Sequence, residues 1–131
     1  MKSYMRGDAH LNTSGVADLS PLLGVWHNVN PQTRYICRFE VALAEDSSFH
    51  VRFFGSSDGP EPIDWGQVPA LPVVLGDSLM GIGFHTTYLL DGMDITLCAN
   101  GSKGVTTVQT YATFTDGSGR PNYFTREFFH R

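Results

Sequence analysis

The feature that most constrains this chain is a period of two in its hydrophobicity. In "YICRFEVAL" (35–43), Tyr35, Cys37, Phe39, Val41 and Leu43 fall on one side and Arg38 and Glu40 on the other. That alternation marks a half-buried strand, because successive side chains of a strand point to opposite faces. "SFHVRFF" (48–54) repeats the pattern with Phe49, Val51 and Phe53 against His50 and Arg52, and "AEDSS" between the two runs supplies turn residues. The pair reads as a hairpin.

Four more runs, "FHTTYLL" (84–90), "MDITLCA" (93–99), "VTTVQTYATF" (105–114) and "NYFTREFFHR" (122–131), are rich in Thr, Val, Ile, Tyr and Phe, which suit a pleated surface. Short connections with Gly, Asn and Asp separate them, so consecutive strands are expected to be antiparallel neighbours. With "GVWHNV" (24–29) and "IDWGQV" (63–68) the count reaches eight strands, and only "VADLSPLLG" ahead of the first offers a helical turn. "PALPVVLGDSLMG" (69–81) reads as one long loop or flap with Val73, Val74 and Leu75 at its apolar middle.

Eight antiparallel strands joined by short sequential turns predict an up-and-down β-barrel, since closure removes exposed edges. The 131 residues suffice for one core. Residues 1–20 are read as an N-terminal arm ending in the helical turn, and residues 21–131 as a single barrel domain. A net charge of −4 argues against nucleic acid or an anionic membrane as partner. No apolar run reaches signal-peptide or membrane-span length, which makes the expectation cytoplasmic. Cys37 and Cys98 sit in strand-like runs and are read as buried reduced thiols, and "RGD" at 6–8 carries no weight.

"GVW" on the first strand, after a short helical turn and ahead of a meander, resembles the calycin superfamily of lipocalins, fatty-acid-binding proteins and avidins. That resemblance implies that Trp26 closes one end of the barrel and that an arginine of the last strand, Arg126 or Arg131, packs across it. A guanidinium on an indole face is a favourable cation–π contact. "GVWHNVNPQTR", "IDWG" and "YFTREFFHR" are also similar to segments of small bacterial lipocalin-like proteins, which implies a fold and no particular activity.

Taking the apolar side of each strand as inward, Tyr35, Phe39, Phe49, Val51, Phe53, Phe84, Tyr88 and Tyr111 would face the lumen, where they either fill it or line a small-molecule site. Trp65, beside Asp64 and ahead of the long loop, is placed near the mouth, and core filling and ligand stacking are both open to it. The candidate ligand contacts are therefore Tyr35, Phe39, Phe53, Trp65, Phe84, Tyr88 and Tyr111. Candidates for acid or base work are Glu127, His50, His85 and Asp64, because one inward ionisable group in a dry barrel can move a proton. Glu127 is either paired with Arg126 or a cross-strand arginine, or exposed on the exterior, the commoner arrangement. The histidines His10, His27, His50, His85 and His130 have no metal-ligand spacing, and no cofactor or metal is expected.

Two functions follow as expectations. In the first, the barrel binds a small, mostly apolar, aromatic or polyketide-like molecule that enters beside the 69–81 segment, the protein acting alone or as a homodimer. In the second, it is a cofactor-independent cyclase or isomerase of a biosynthetic pathway that uses the lumen as active site. An inward ionisable group without a charge partner would favour the second.

Overall fold

A computed structural model describes residues 15–131; the expected arm over 1–14, with the RGD triplet and His10, lies outside the described residues. A 3-10 turn over Ser20–Leu22 precedes nine strands: β1 (Gly24–Asn28), β2 (Ile36–Leu43), β3 (Phe49–Gly55), β4 (Ile63–Pro69), β5 (Leu71–Val74), β6 (Gly81–Leu90), β7 (Met93–Ser102), β8 (Val105–Phe114) and β9 (Tyr123–His130). All pair antiparallel in one sheet of order β4-β3-β2-β1-β9-β8-β7-β6-β5. Its two outermost strands, β4 and β5, are separated in sequence by Ala70 alone, so the sheet edges meet and the molecule is a nearly closed up-and-down barrel. No helix among the described residues is long and apolar enough to cross a membrane.

The ninth strand corrects the expected loop at 69–81. Residues 71–74 pair with β6 while 63–69 pair with β3, so one bent segment serves both edges. The prolines 69 and 72 stand at and just beyond the bend, where a strand can tolerate a missing donor. The corner is fastened by the Thr86 hydroxyl, which donates to the Pro69 carbonyl at 2.7 Å, and by the Ala70 N–H, which donates to Phe49 O at 3.0 Å.

Register irregularities decide which side chains turn inward. On β2 and β3, Ile36 pairs with Gly55 and Arg38 with Phe54, leaving Cys37 as an extra residue. The bulge brings Ile36 inward along with Phe39. Cys37 therefore does not share the lumen face with Phe39; its thiol donates to Phe54 O at 3.4 Å. Leu43, also placed inward by parity, is 42% exposed where β2 leaves the barrel.

The interior is aromatic along its axis. Trp26 stacks on Phe39 (6.0 Å, 8°), Phe39 on Phe53 (4.9 Å, 16°) and Phe53 on Trp65 (6.3 Å, 23°), a run of near-parallel rings joining the only two tryptophans of the chain. Phe84 and Phe129 meet Phe39 edge-on at 5.8 and 5.0 Å. Such pairs add roughly 0.5–1.5 kcal/mol each to the burial of their area. The opposite wall carries no ring: Ile95, Leu97, Ala99, Thr106, Val108, Thr110 and Ala112 are the buried residues of β7 and β8.

Candidate functional site at the open end of the barrel

The two ends of the barrel differ. At the β1 start, Trp26 is 4% exposed and its Nε1–H donates to Leu22 O at 3.0 Å, which ties the indole to the 3-10 turn. The guanidinium of Arg131 lies 4.8 Å from the indole and donates to Leu23 O at 2.9 Å. Gly24 has φ of +119°, a conformation that favours glycine, and an added Cβ would stand 3.6 Å from Arg131 Cδ, an ordinary contact. The glycine is thus required by backbone conformation rather than by lack of room. This end is stoppered.

Of the two arginines considered, Arg131 is the one that covers Trp26. Arg126 points outward, 5.3 Å over the exposed Phe124 ring, because only every second residue of β9 faces the lumen and Arg126 has the parity of Phe124 and Phe128.

The other end is bounded by the connections 29–35, 56–62, 91–92 and 115–122. The 69–81 segment, beside which the ligand was expected to enter, does not border this end: β5 runs toward the stoppered end, so residues 75–80 turn there, where Asp18 bridges to Met80. At the open end Tyr35, Trp65 and Tyr123 are partly buried. Tyr35 meets Trp65 at 5.5 Å and 67° and Tyr123 at 5.9 Å and 80°, and the Tyr123 hydroxyl donates to the Tyr35 hydroxyl at 3.1 Å. Burial, reinforced by that bond, pushes the Tyr35 hydroxyl far above the ordinary phenol range, so it stays protonated. An open rim hollow of about 620 Å³ lies between the 29–35 and 56–62 connections, lined by Thr33, Arg34, Ser56 and Asp58 among others and by none of the three rings.

Trp65 reaches the mouth through a bulge. Arg52 pairs with Gln67 and Phe54 with Asp64, so Phe53 faces two residues, Trp65 and Gly66, the latter at φ +92°. The shift turns both Trp65 and Val68 toward the core. It also deprives the ladder of two bonds, and Tyr88 supplies them from β6: its hydroxyl accepts from the Phe53 N–H at 3.1 Å and donates to Gly66 O at 2.7 Å. Desolvation raises the Tyr88 pKa, partly offset by the Phe53 N–H bond.

Glu127 faces inward, not outward. It shares the inward parity of Tyr123, Thr125 and Phe129, and its carboxyl accepts from Asn28 Nδ2 at 2.7 Å, from Ile36 N at 3.2 Å and from the Thr33 hydroxyl. No cation pairs with it among the described residues. The geometry explains the arrangement: β1 and β9 share only the pairs His27↔His130 and Asn28↔Phe129, after which the chain leaves β1 and returns at Ile36. Beyond the last backbone bond, Val29 N–H to Phe128 O at 2.9 Å, Glu127 bridges the gap so created and holds Asn28, Thr33 and Ile36 to β9.

The remaining candidates lie on the exterior. His50 and His85 have outward parity on β3 and β6, His85 is exposed, and His50 Nδ1 lies 3.4 Å from Ser48 Oγ. Asp64 is exposed; it takes the Gly66 N–H at 2.8 Å and an ion pair with Arg52 at 3.4 Å. Tyr111 is 49% exposed and packs on Phe124 at 5.1 Å, because Thr106, Val108, Thr110 and Ala112 are the inward residues of β8. The lumen face expected for Tyr111 is occupied by its smaller neighbours. Phe39, Phe53 and Phe84 are inside as expected, at 0%, 0% and 2% exposure.

Two residues escaped the sequence reading. Thr110 and Thr125, cross-strand partners on β8 and β9, both turn inward, and their hydroxyl oxygens are buried with no hydrogen-bond partner. The signal was in "TTVQTYA", where small residues alternate with larger ones, read with the opposite parity. Tyr123 carries no signal in the alternation of "NYFTREFFHR" that sets it apart from its neighbours. His27 and His130 come side by side on the exterior, ring centroids 6.2 Å apart, while no group of three or more metal-binding side chains occurs among the described residues.

Fold and site together define a small antiparallel barrel with one stoppered end and one aromatic, hydroxyl-bearing mouth. No family model, curated protein or solved structure matches the chain.

Proposed function

We propose that this is a lipocalin-like, calycin-type barrel of the cytosol that binds a small, mostly apolar molecule at its open end. The observation that carries the reading is the partly buried trio Tyr35, Trp65 and Tyr123, which sets aromatic faces and phenol hydroxyls beside the buried rings of Phe53 and Tyr88. A mostly apolar surface with a few placed polar groups is the usual make-up of a ligand site. The Arg131 and Trp26 stopper at the opposite end, joined to Gly24, supports the calycin resemblance. Each CH₂ buried by the ligand contributes about 0.8 kcal/mol before ordering costs.

The cyclase or isomerase reading draws less support. Its discriminating group, the inward Glu127, has its oxygens committed to Asn28, Thr33 and Ile36. His50, His85 and Asp64 stand outside the barrel.

Native mass spectrometry of freshly purified protein tests binding and subunit number together. A retained small molecule, and Trp65-dependent quenching when it is added back, is the expected result. Protein that arrives empty and whose Trp65 fluorescence answers to no compound of a small aromatic library overturns the reading.

A further inference from the structure

Resting on that reading, we propose that the Thr110–Thr125 pair is the polar terminus of the site, and that the ligand is a one- or two-ring planar molecule ending in a neutral oxygen, a phenol or aryl carbonyl. Thr110 is fully buried between inward Val108 and Ala112, and Thr125 lies directly across from it between Tyr123 and Glu127. Both hydroxyl oxygens lack a partner among the described residues.

A buried hydroxyl without a partner costs on the order of 1–3 kcal/mol, and native interiors rarely leave two side by side. Valine would fill the same volume without that cost. By contrast, inward Thr86 spends its hydroxyl on Pro69 O at 2.7 Å. The pair therefore answers to something the protein itself does not supply.

The surroundings narrow what that is. Among the described residues no cation stands beside the pair, so a carboxylate would be desolvated without compensation, whereas a neutral oxygen can take one or both hydroxyl protons. The stack from Trp26 to Trp65 occupies the barrel axis, which leaves no path for a long alkyl chain. From the mouth to the pair the inward residues are Ala112 and its partner Tyr123, the first with the smallest side chain among the inward residues of β8. Tyr123 is held there by its hydrogen bond to Tyr35 and by ring contacts with Tyr35 and Phe114, and a ligand reaches the pair by displacing that ring at the cost of those contacts.

Calorimetric titration of the full chain with naphthalene, 2-naphthol and 2-naphthoate tests this. The wild type is expected to prefer 2-naphthol over naphthalene by about tenfold, the worth of one good hydrogen bond, and to take 2-naphthoate worse than 2-naphthol. T110V/T125V should bind naphthalene within about twofold of wild type and lose the preference, and T110S/T125S should keep it. Equal binding of naphthalene and 2-naphthol by the wild type, or a preference that survives in T110V/T125V, overturns the proposal while leaving open-end binding intact. No binding of any of the three, by calorimetry or by Trp65 quenching, sinks the binding reading and this inference with it.

Discussion

The hydroxyl of Tyr88 and the carbonyl of Gly66, 2.7 Å apart, join β6 to β4 across the seam of the barrel. The same oxygen accepts from Phe53 N–H, so one side chain replaces both ladder bonds lost at the bulge. Tyr88→Phe leaves a buried donor and a buried acceptor unpaired and is expected to cost about 2 kcal/mol in urea denaturation. A loss below about 0.5 kcal/mol would show that the bulge holds without the hydroxyl.

Glu127 performs the comparable task between β9 and the 28–36 segment. Glu127→Ala removes the acceptor for three donors and should destabilise by about 3 kcal/mol, with faster amide exchange at Ile36. Glu127→Gln, which keeps an amide oxygen for one or two of them, should recover part of that loss. If Glu127→Ala instead leaves stability and Ile36 exchange unchanged, the clamp is not structural.

The two arginines of β9 and its end separate cleanly. Arg131→Ala should lower stability by about 1 kcal/mol and shift Trp26 emission to the red, since it strips the guanidinium from the indole. Arg126→Ala, exposed beside Phe124, should stay within about 0.5 kcal/mol of wild type. Equal effects from both would remove Arg131's special place.

Alkaline pH reports on the buried phenols. Tyr35 and Tyr88 are raised in the folded state, so the unfolded chain releases those protons first. Their contribution is fully present below the unfolded value of about 10 and declines as pH rises above it. Melting temperature should therefore fall from about pH 10 upward, and Tyr35→Phe should flatten that fall. An unchanged slope would place the base sensitivity elsewhere.

Without ligand, the unpaired hydroxyls are a cost. Thr110→Val should leave stability unchanged or raise it by about 1 kcal/mol, measured by thermal melting. A loss above about 1 kcal/mol would mean that the hydroxyl already has a partner in the empty protein.

Much of the barrel was legible because its strands alternate and their turns carry Gly, Asn and Asp. What alternation could not reveal is where it breaks. The bulges at Cys37 and Gly66 insert one residue each, reversing parity on one side of the insertion, and they settle why Cys37 leaves the lumen face and why Trp65 joins it. β8 departs from expectation for another reason: Tyr111 is its largest residue, and size does not decide which face turns inward. A barrel whose axis is filled by rings from β1 to β4 needs small residues opposite, so Thr110 and Ala112 go in and Tyr111 goes out. Glu127 was hardest to place, because its partners Asn28, Thr33 and Ile36 lie more than 90 residues away.

The pairing of β1 with β9 has one more consequence. With consecutive strands adjacent all the way round and the first described strand beside the last, the sheet is cyclic in its connectivity. Arg131 bonds to Leu23 O at 2.9 Å, so a few linker residues would span 131 to 23. A circular permutant so joined and reopened between Lys103 and Gly104, at the exposed β7–β8 turn, would preserve every pair among the nine strands while giving up the Ser20–Leu22 turn and its bond to Trp26.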